Sequence, residues 1–339
     1  MDTRPLGRSG IRVSRFCLGT MMFGGPTDAA ASARIIARAA EAGINFLDTA
    51  DTYNGGRSEA VVGEAIAADR ARWVVATKIA NPLPGPDPNR GGASRRWLLL
   101  GIEESLRRLR TDWIDVLYLH KEDHATPLEV TVRALADLVR AGRIRHFGVS
   151  NYRAWRIAEI CNLCDAAGID RPVVSQPYYN AMNRQPEVEQ LPAAAHYGLA
   201  IFPYSPLSRG VLAAKYRPGE APPADTRAGR GDRRMMQTEW RPESLAIAQR
   251  LRAHAEARGT TAIGFAIAWL LNNALVAGAV LGPRTEGQLD DYLAALTCRF
   301  TAEDEALVDA LVPPGHPATP GYNDPAYPLE GRVALSPPG

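Results

Sequence analysis

Two spacings of apolar residues alternate along this chain. Short runs rich in β-branched and apolar residues fall near 16–19, 45–48, 73–79, 114–119, 144–149, 173–177, 199–204 and 277–281. Between them, apolar residues recur three and four apart over Ala30–Ala42, Ser58–Ala68, Arg95–Arg110, Pro127–Ala141, Tyr152–Ala167, Glu187–Tyr197, Pro242–Asn272 and Glu286–Leu296. The first pattern predicts buried strands and the second amphipathic helices. Eight strands, each followed by a helix, give the count of an α/β fold of the closed (β/α)8 TIM barrel type, for which about 250 residues suffice. Gly43, Gly142 and Gly168 stand where three of these helices must turn back toward the next strand, as helix ends prefer. A doubly wound sheet would alternate too, but Gly24-Gly25-Pro26 after the first strand lacks the G-x-G-x-x-G spacing of that fold. Ahead of the first strand, Gly7-Arg8-Ser9-Gly10 separates two short runs within residues 4–15 and predicts an N-terminal β-hairpin.

Three stretches exceed ordinary connection lengths, which marks them as functional or mobile. Residues 81–93 carry four prolines, residues 205–240 hold Arg227, Arg230, Arg233 and Arg234, and the tail after Leu311 contains eight prolines with Tyr322 and Tyr327. Proline at that density excludes a helix and predicts an extended, draped C-terminal segment. The expected organisation is one barrel domain over 1–312 and a tail over 313–339. With 46% hydrophobic residues the chain can bury a large core, and a net charge of +2 gives no reason to expect nucleic acid as a partner. Met1–Pro5 has no apolar segment of a signal peptide, and no run approaches the length of a membrane span. The expectation is a cytoplasmic protein with a small-molecule ligand and no membrane partner, its oligomeric state open. Cys161 and Cys164 are spaced as a C-x-x-C pair but lie within a helical stretch with no second ligand pair nearby. They read as buried packing residues, and no metal site is expected.

The candidate chemistry sits at the strand ends. Asp48 follows Asn45-Phe46-Leu47, Tyr53 comes five residues later, Lys78 closes the run from Trp73, and His120 closes the run from Ile114. In a parallel barrel the carboxyl ends of all strands open onto one face, so these groups converge there. An acid, a phenol, an ammonium and an imidazole around one point describe a site that handles protons. Ser58-Glu59 reads as the start of the next helix, with Ser58 near its N-cap.

These residues resemble a known family. Asn45-Phe46-Leu47-Asp48-Thr49-Ala50-Asp51-Thr52-Tyr53 is similar to the signature of the aldo-keto reductase superfamily, and Lys78 in Ala76-Thr77-Lys78 and His120 in Leu117-Tyr118-Leu119-His120 match the other members of its catalytic tetrad. The likeness runs from about Leu6 to Leu296, and the branch it most resembles is that of the bacterial NADPH-dependent reductases and potassium-channel β-subunits. It implies NADPH/NADP+ as cofactor and a small-molecule carbonyl substrate. By the same resemblance, Gly19, Thr20 and Met21 flank the cofactor, Ser150, Asn151 and Gln176 meet its carboxamide, and Tyr204 stacks on the nicotinamide. Ser205, Leu207, Arg209 and Gly210 would also bind the cofactor, with Lys215 as a phosphate neighbour, and Gly282, Arg284, Gln288 and Asp291 would meet its adenosine end. Tyr292 stands where an adenine-contacting asparagine is usual, Ala213-Ala214 replaces the usual residues before Lys215, and Lys121 follows His120 where relatives carry an apolar residue.

The residue types suit carbonyl reduction. A tyrosine with an ordinary pKa near ~10 is a weak acid at neutral pH, so a charged Lys78 beside Tyr53 is expected to lower it, with Asp48 holding the lysine charged. His120 can hydrogen-bond the substrate oxygen. Two other functions draw on the same residues: a nicotinamide-sensing regulatory subunit with slow turnover, and a Schiff-base aldolase using Lys78, which Asp48 disfavours by keeping the amine protonated.

Overall fold

The computed structural model describes residues 1–329 and 331. Its eight parallel strands are Phe16–Gly19, Phe46–Asp48, Val74–Ile79, Ile114–Leu119, Ile144–Ser150, Val174–Gln176, Ala200–Ile201 and Ala279–Leu281, in chain order around one sheet. The eighth pairs with the first, Ala279 opposite Phe16. The ring closes where the N–H groups of Ala277 and Val280 donate to the carbonyls of Ile201 and Pro203, both at 2.9 Å. The predicted (β/α)8 barrel is therefore what the chain forms, and closure leaves the ring without an open edge.

Period-two alternation along the strands sorts side chains between two cores. Phe46, Ala76, Val116, Tyr118, Val174, Phe202 and Val280 fill the barrel interior, while Leu47, Val75, Leu117, Leu119 and Val149 pack outward against the helices. Phe46 meets Phe202 edge-on at 5.3 Å, and burying a side chain of this size stabilises the fold by about 1.5–3 kcal/mol. A Cβ on Gly148 would lie 2.6 Å from Val174 Cγ1 and 2.9 Å from the Tyr118 ring. Glycine there makes the room the tyrosine uses. Asp48 and Lys78 lie two residues beyond Phe46 and Ala76, so they face inward at the upper end of the same barrel.

The lower end is plugged by the predicted hairpin. Thr3–Pro5 pairs antiparallel with Arg12–Ser14, and Leu6 and Val13 enter the interior cluster. Gly7 takes a φ of +56° with Val173 O 2.2 Å from where its Cβ would be, so the turn admits no side chain.

The helices depart from the pattern in three places. The single helix expected over Pro242–Asn272 is two, Pro242–Ala257 and Ala262–Asn272. Gly259 at φ +72° ends the first, and Thr261 caps the second by accepting from Gly264 N–H at 2.9 Å. Arg233–Thr238 forms a short helix inside the long connection, capped by Asp232, and Ala302–Leu311 forms a helix that opens with a Thr301/Asp304 capping box.

The tail then crosses the upper face. Ala318 N–H donates to Met182 O at 2.8 Å, the Arg241 guanidinium lies 3.8 Å over the Tyr322 ring, and Arg234 pairs with Asp324. Its last stretch, expected to belong to the same draped segment, lies largely outside the described residues. Among the described residues, no helix is long and apolar enough to cross a membrane.

Candidate active site

Asp48 ends the second barrel strand, Lys78 is next to last in the third, His120 directly follows the fourth, and Tyr53 opens a turn of 3-10 helix over Tyr53–Gly56. The fold brings all four together. Lys78 is fully buried and its ammonium donates to Asp48 Oδ1, to Thr49 O at 2.9 Å and to the Tyr53 hydroxyl at 3.2 Å. Those three bonds use all three of its protons. Asp48 accepts at its other oxygen from Gln176 Nε2 at 2.8 Å. Burial works against the charge on Lys78, but Asp48 and then Tyr53 outweigh it and hold the pKa above its ordinary value. Lys78 is therefore a cation at neutral pH.

Tyr53 differs from the expectation. Burial raises its pKa, and the opposing pull of Lys78 does not overcome burial and the charge of Asp48. The expected net lowering is absent, because the phenol is enclosed to a depth that the sequence does not reveal. The consequence is a tyrosine that keeps its proton at neutral pH, with a cation in place to meet negative charge as the proton leaves. His120 stands edge-on to Tyr53 at 5.9 Å between ring centroids. Burial first, then the charges of Lys78 and Lys121, push its pKa well below 6.5, so the ring is neutral. Asn81 Nδ2 stands 2.9 Å from its Nδ1.

A polar layer supports these groups from behind. The helix expected at Ser58-Glu59 opens there, as Arg57–Ile66 with Gly56 as its N-cap. The buried Ser58 hydroxyl donates to Thr20 O at 2.8 Å and lies 3.0 Å from Thr49 Oγ1, tying the loop after the first strand to the loop after the second. Glu59 is buried, accepting from Thr77 Oγ1 at 2.5 Å and from Arg108 Nε at 2.6 Å. Asp51 is buried beside this pair, and both its carboxyl oxygens lack a hydrogen-bond partner among the described residues.

Above the four groups opens a cavity of about 340 Å³. Asp48, Tyr53 and His120 reach its wall, with Lys78 behind them. Of the residues expected at a cofactor, Gly19, Thr20, Met21, Ser150, Asn151, Gln176, Tyr204, Ser205, Leu207, Arg209, Gly210, Lys215, Gly282, Arg284 and Gln288 all line it. Asp291 does not and is exposed, whereas its neighbour Tyr292 is buried on the wall. Tyr204 donates to Asn151 Oδ1 at 2.8 Å and leans on Tyr178 at 5.5 Å between centroids. Asn151, Ser205, Ser208 and Arg209 all take φ values between 48° and 58°, a left-handed conformation that costs non-glycine residues energy and gathers at functional sites. Arg209 lies 3.5 Å from the buried Glu239, which also accepts from Ser208 Oγ at 2.9 Å. Arg284 N–H donates to Gln288 Oε1 at 2.8 Å, and Thr285 caps the helix Glu286–Ala294 that follows.

Of the remaining wall residues, the sequence did not single out Met22 or Asn81, named Arg227, Arg230, Arg234 and Tyr327 only as members of the long segments, and marked Tyr292 only as a departure from the usual asparagine. The arginine-rich loop and the tyrosines of the tail were visible as composition, but which of them face inward depends on how those segments fold back. The two helical cysteines carry no sign of reactivity. Burial pushes both thiols up to about 12, so they stay protonated.

A closed barrel with an acid/base cluster and a cation-rich cavity at the carboxyl ends of its strands has the form of a barrel enzyme's active face. The chain belongs to the aldo/keto reductase family, whose model matches residues 15–313. It is 33% identical over 301 residues to a probable voltage-gated potassium channel subunit beta of Arabidopsis thaliana, covering 87% of this chain and 91% of that one. It is 34% identical over 317 residues to aflatoxin B1 aldehyde reductase member 2 of Homo sapiens, covering 87% and 84%. The uncharacterized oxidoreductase YrpG of Bacillus subtilis (strain 168) is 32% identical over 335 residues, 95% of this chain and 99% of that one.

Proposed function

We propose that this chain is a cytoplasmic NADPH-dependent reductase that converts an aldehyde or ketone to the alcohol, with Tyr53 as the proton donor. The observation that carries this reading is the Lys78 ammonium held between Asp48 and the Tyr53 hydroxyl, at 3.2 Å from the latter, on the wall of a cavity shared with neutral His120.

The cavity's donor set fits a nicotinamide dinucleotide phosphate. Hydrogen-bonding groups of Ser150, Asn151 and Gln176 and the Tyr204 ring stand near the acid/base cluster, and Arg209, Lys215, Arg227 and Arg284 supply positive charge for phosphates. When bound, NADPH supplies a hydride to the carbonyl carbon. The protein's part is the oxygen. Tyr53 is protonated at neutral pH and gives its proton to the developing alkoxide, while Lys78 meets the charge left on the phenolate. His120 donates a hydrogen bond to the same oxygen and sets its position. Asp48, bonded by Lys78 and Gln176, keeps the ammonium charged and aimed. In this assignment Tyr292 takes the place at the adenine end that Asp291, exposed and turned from the wall, does not fill.

The test is a steady-state screen of purified protein with NADPH and with NADH against aldehydes, ketones and sugar aldehydes. Loss of reduced-cofactor absorbance with at least one carbonyl class, faster with NADPH, is expected. The likeness to a potassium-channel β-subunit supplies the competing reading, a nicotinamide-sensing subunit. NADPH binding with no turnover on any carbonyl would favour it.

A further inference from the structure

Asn81 has no part in the reductase reading, yet its side chain contacts the imidazole. Ile79 ends the third barrel strand, and Ala80 then takes a φ of +97°, a conformation in which an alanine is strained. The turn is held by Gly92 N–H donating to Ala80 O at 3.1 Å. It delivers the Asn81 amide to His120, with Nδ2 at 2.9 Å from Nδ1. The backbone that carries the ring is held as well. His120 N–H donates to Ile79 O at 2.8 Å, and its carbonyl accepts from Asn151 Nδ2 at 2.9 Å.

With the amide nitrogen of Asn81 turned toward the ring, the contact takes one form. An amide nitrogen carries protons and no available lone pair, so Nδ1 must accept. In a neutral imidazole the single remaining proton then sits on Nε2. The ring is kept neutral by its burial and by the neighbouring ammonium of Lys78. Without a donor at Nδ1 the two tautomers would compete, and in one of them Nε2 would present a lone pair to a substrate oxygen and repel it.

We propose that Asn81 is a positioning residue that fixes the Nε2–H tautomer of His120, so that the imidazole can donate a hydrogen bond to the carbonyl oxygen of a substrate. The identity of that acceptor rests on the reductase reading; the tautomer does not. The inference also assigns a purpose to the strained turn at Ala80, which brings the amide within reach of the ring.

Nitrogen-15 NMR of histidine-labelled protein at neutral pH tests it, with His120 assigned among the six histidines by the signals lost in His120→Gln. In the unaltered protein, Nε2 is expected to show the shift of a protonated ring nitrogen and Nδ1 that of an unprotonated one. Asn81→Asp should move a proton onto Nδ1, and Asn81→Leu should abolish the single-tautomer pattern. In turnover assays, Asn81→Leu should lower kcat roughly tenfold, less than the 10²–10³ typical of removing such a donor outright, while the dissociation constant for NADPH hardly moves. A proton on Nδ1 in the unaltered protein, or an unchanged nitrogen pattern in both variants, overturns the proposal. The first of these is read without any substitution, so a variant that fails to fold does not protect it. The expected tautomer in a protein that turns over no carbonyl would sink the reductase reading and leave the role of Asn81 on the ring intact.

Discussion

A buried ammonium is tolerable only when every proton on it is spoken for, and Lys78 meets that condition through Asp48, Thr49 O and Tyr53. Removing one partner of such a pair typically costs about 3–5 kcal/mol, because the other charge is left uncompensated. Asp51 is the opposite case, a buried carboxyl with neither oxygen bonded among the described residues. Burial first, then the charge of Glu59, raise its pKa to about 8. A carboxyl whose folded pKa lies above its unfolded value favours the fold while protonated. That contribution is complete below about pH 4, the ordinary unfolded value, and is lost as pH rises through about 8. Asn cannot ionise. Asp51→Asn should therefore gain stability relative to the unaltered protein between these limits, by up to about 1.4 kcal/mol per pH unit. Urea denaturation at pH 5, 6, 7 and 8 measures this directly, and parallel stability profiles for the two proteins would contradict it.

At the scale of elements, the helix Glu286–Ala294 presents its amino terminus beside Gly282, Pro283 and Arg284. Unpaired N–H groups and the helix dipole favour an anion there, and Arg284 adds a fork of donors suited to a phosphate. Arg284→Met should raise KM for NADPH about tenfold, corresponding to ~1.4 kcal/mol, and leave KM for NADH nearly unchanged. An equal loss with both cofactors would show that Arg284 serves the fold or the shared adenosine. The strands and their polar end residues were legible in the sequence because two simple rules govern them. Alternation sends Phe46 and Asp48 to the same face, and parallel strands end on one side, so Asp48, Lys78 and His120 could be placed together from spacing alone. Where a tertiary contact decides, the sequence was silent or misleading. Ser58 was legible as lying at a helix start, but not its bonds to Thr20 and Thr49 in the interior. Gly259-Thr260-Thr261 breaks a helix whose apolar spacing continues on both sides. Ala80 gives no local hint of a positive φ, so nothing pointed Asn81 at His120.

On the scale of the whole molecule, the barrel fixes the acid/base groups and the irregular segments build the room above them. The long connection after the seventh strand and the tail are joined by the Arg234–Asp324 pair, and Arg234 and Tyr327 both face the cavity. The tail is anchored farther back by the bridge between Asn183 and Pro317. Residues separated by hundreds of positions thus enclose one space, and burial in that space is what raises the Tyr53 pKa and lowers that of His120. The depth of enclosure follows from chain folding at long range, which is why the sign of the Tyr53 shift could not be read from its neighbours. If Tyr53 is the proton donor that this enclosure keeps loaded, deleting its hydroxyl should disable the chemistry and spare the cofactor site. Tyr53→Phe, assayed with NADPH on the best carbonyl substrate, should lose roughly 10² or more in kcat, the scale for a positioned general acid. Its NADPH dissociation constant, from fluorescence titration, should stay within about twofold, since the ring that shapes the wall remains. A kcat near that of the unaltered protein would contradict the assignment of Tyr53 as the acid.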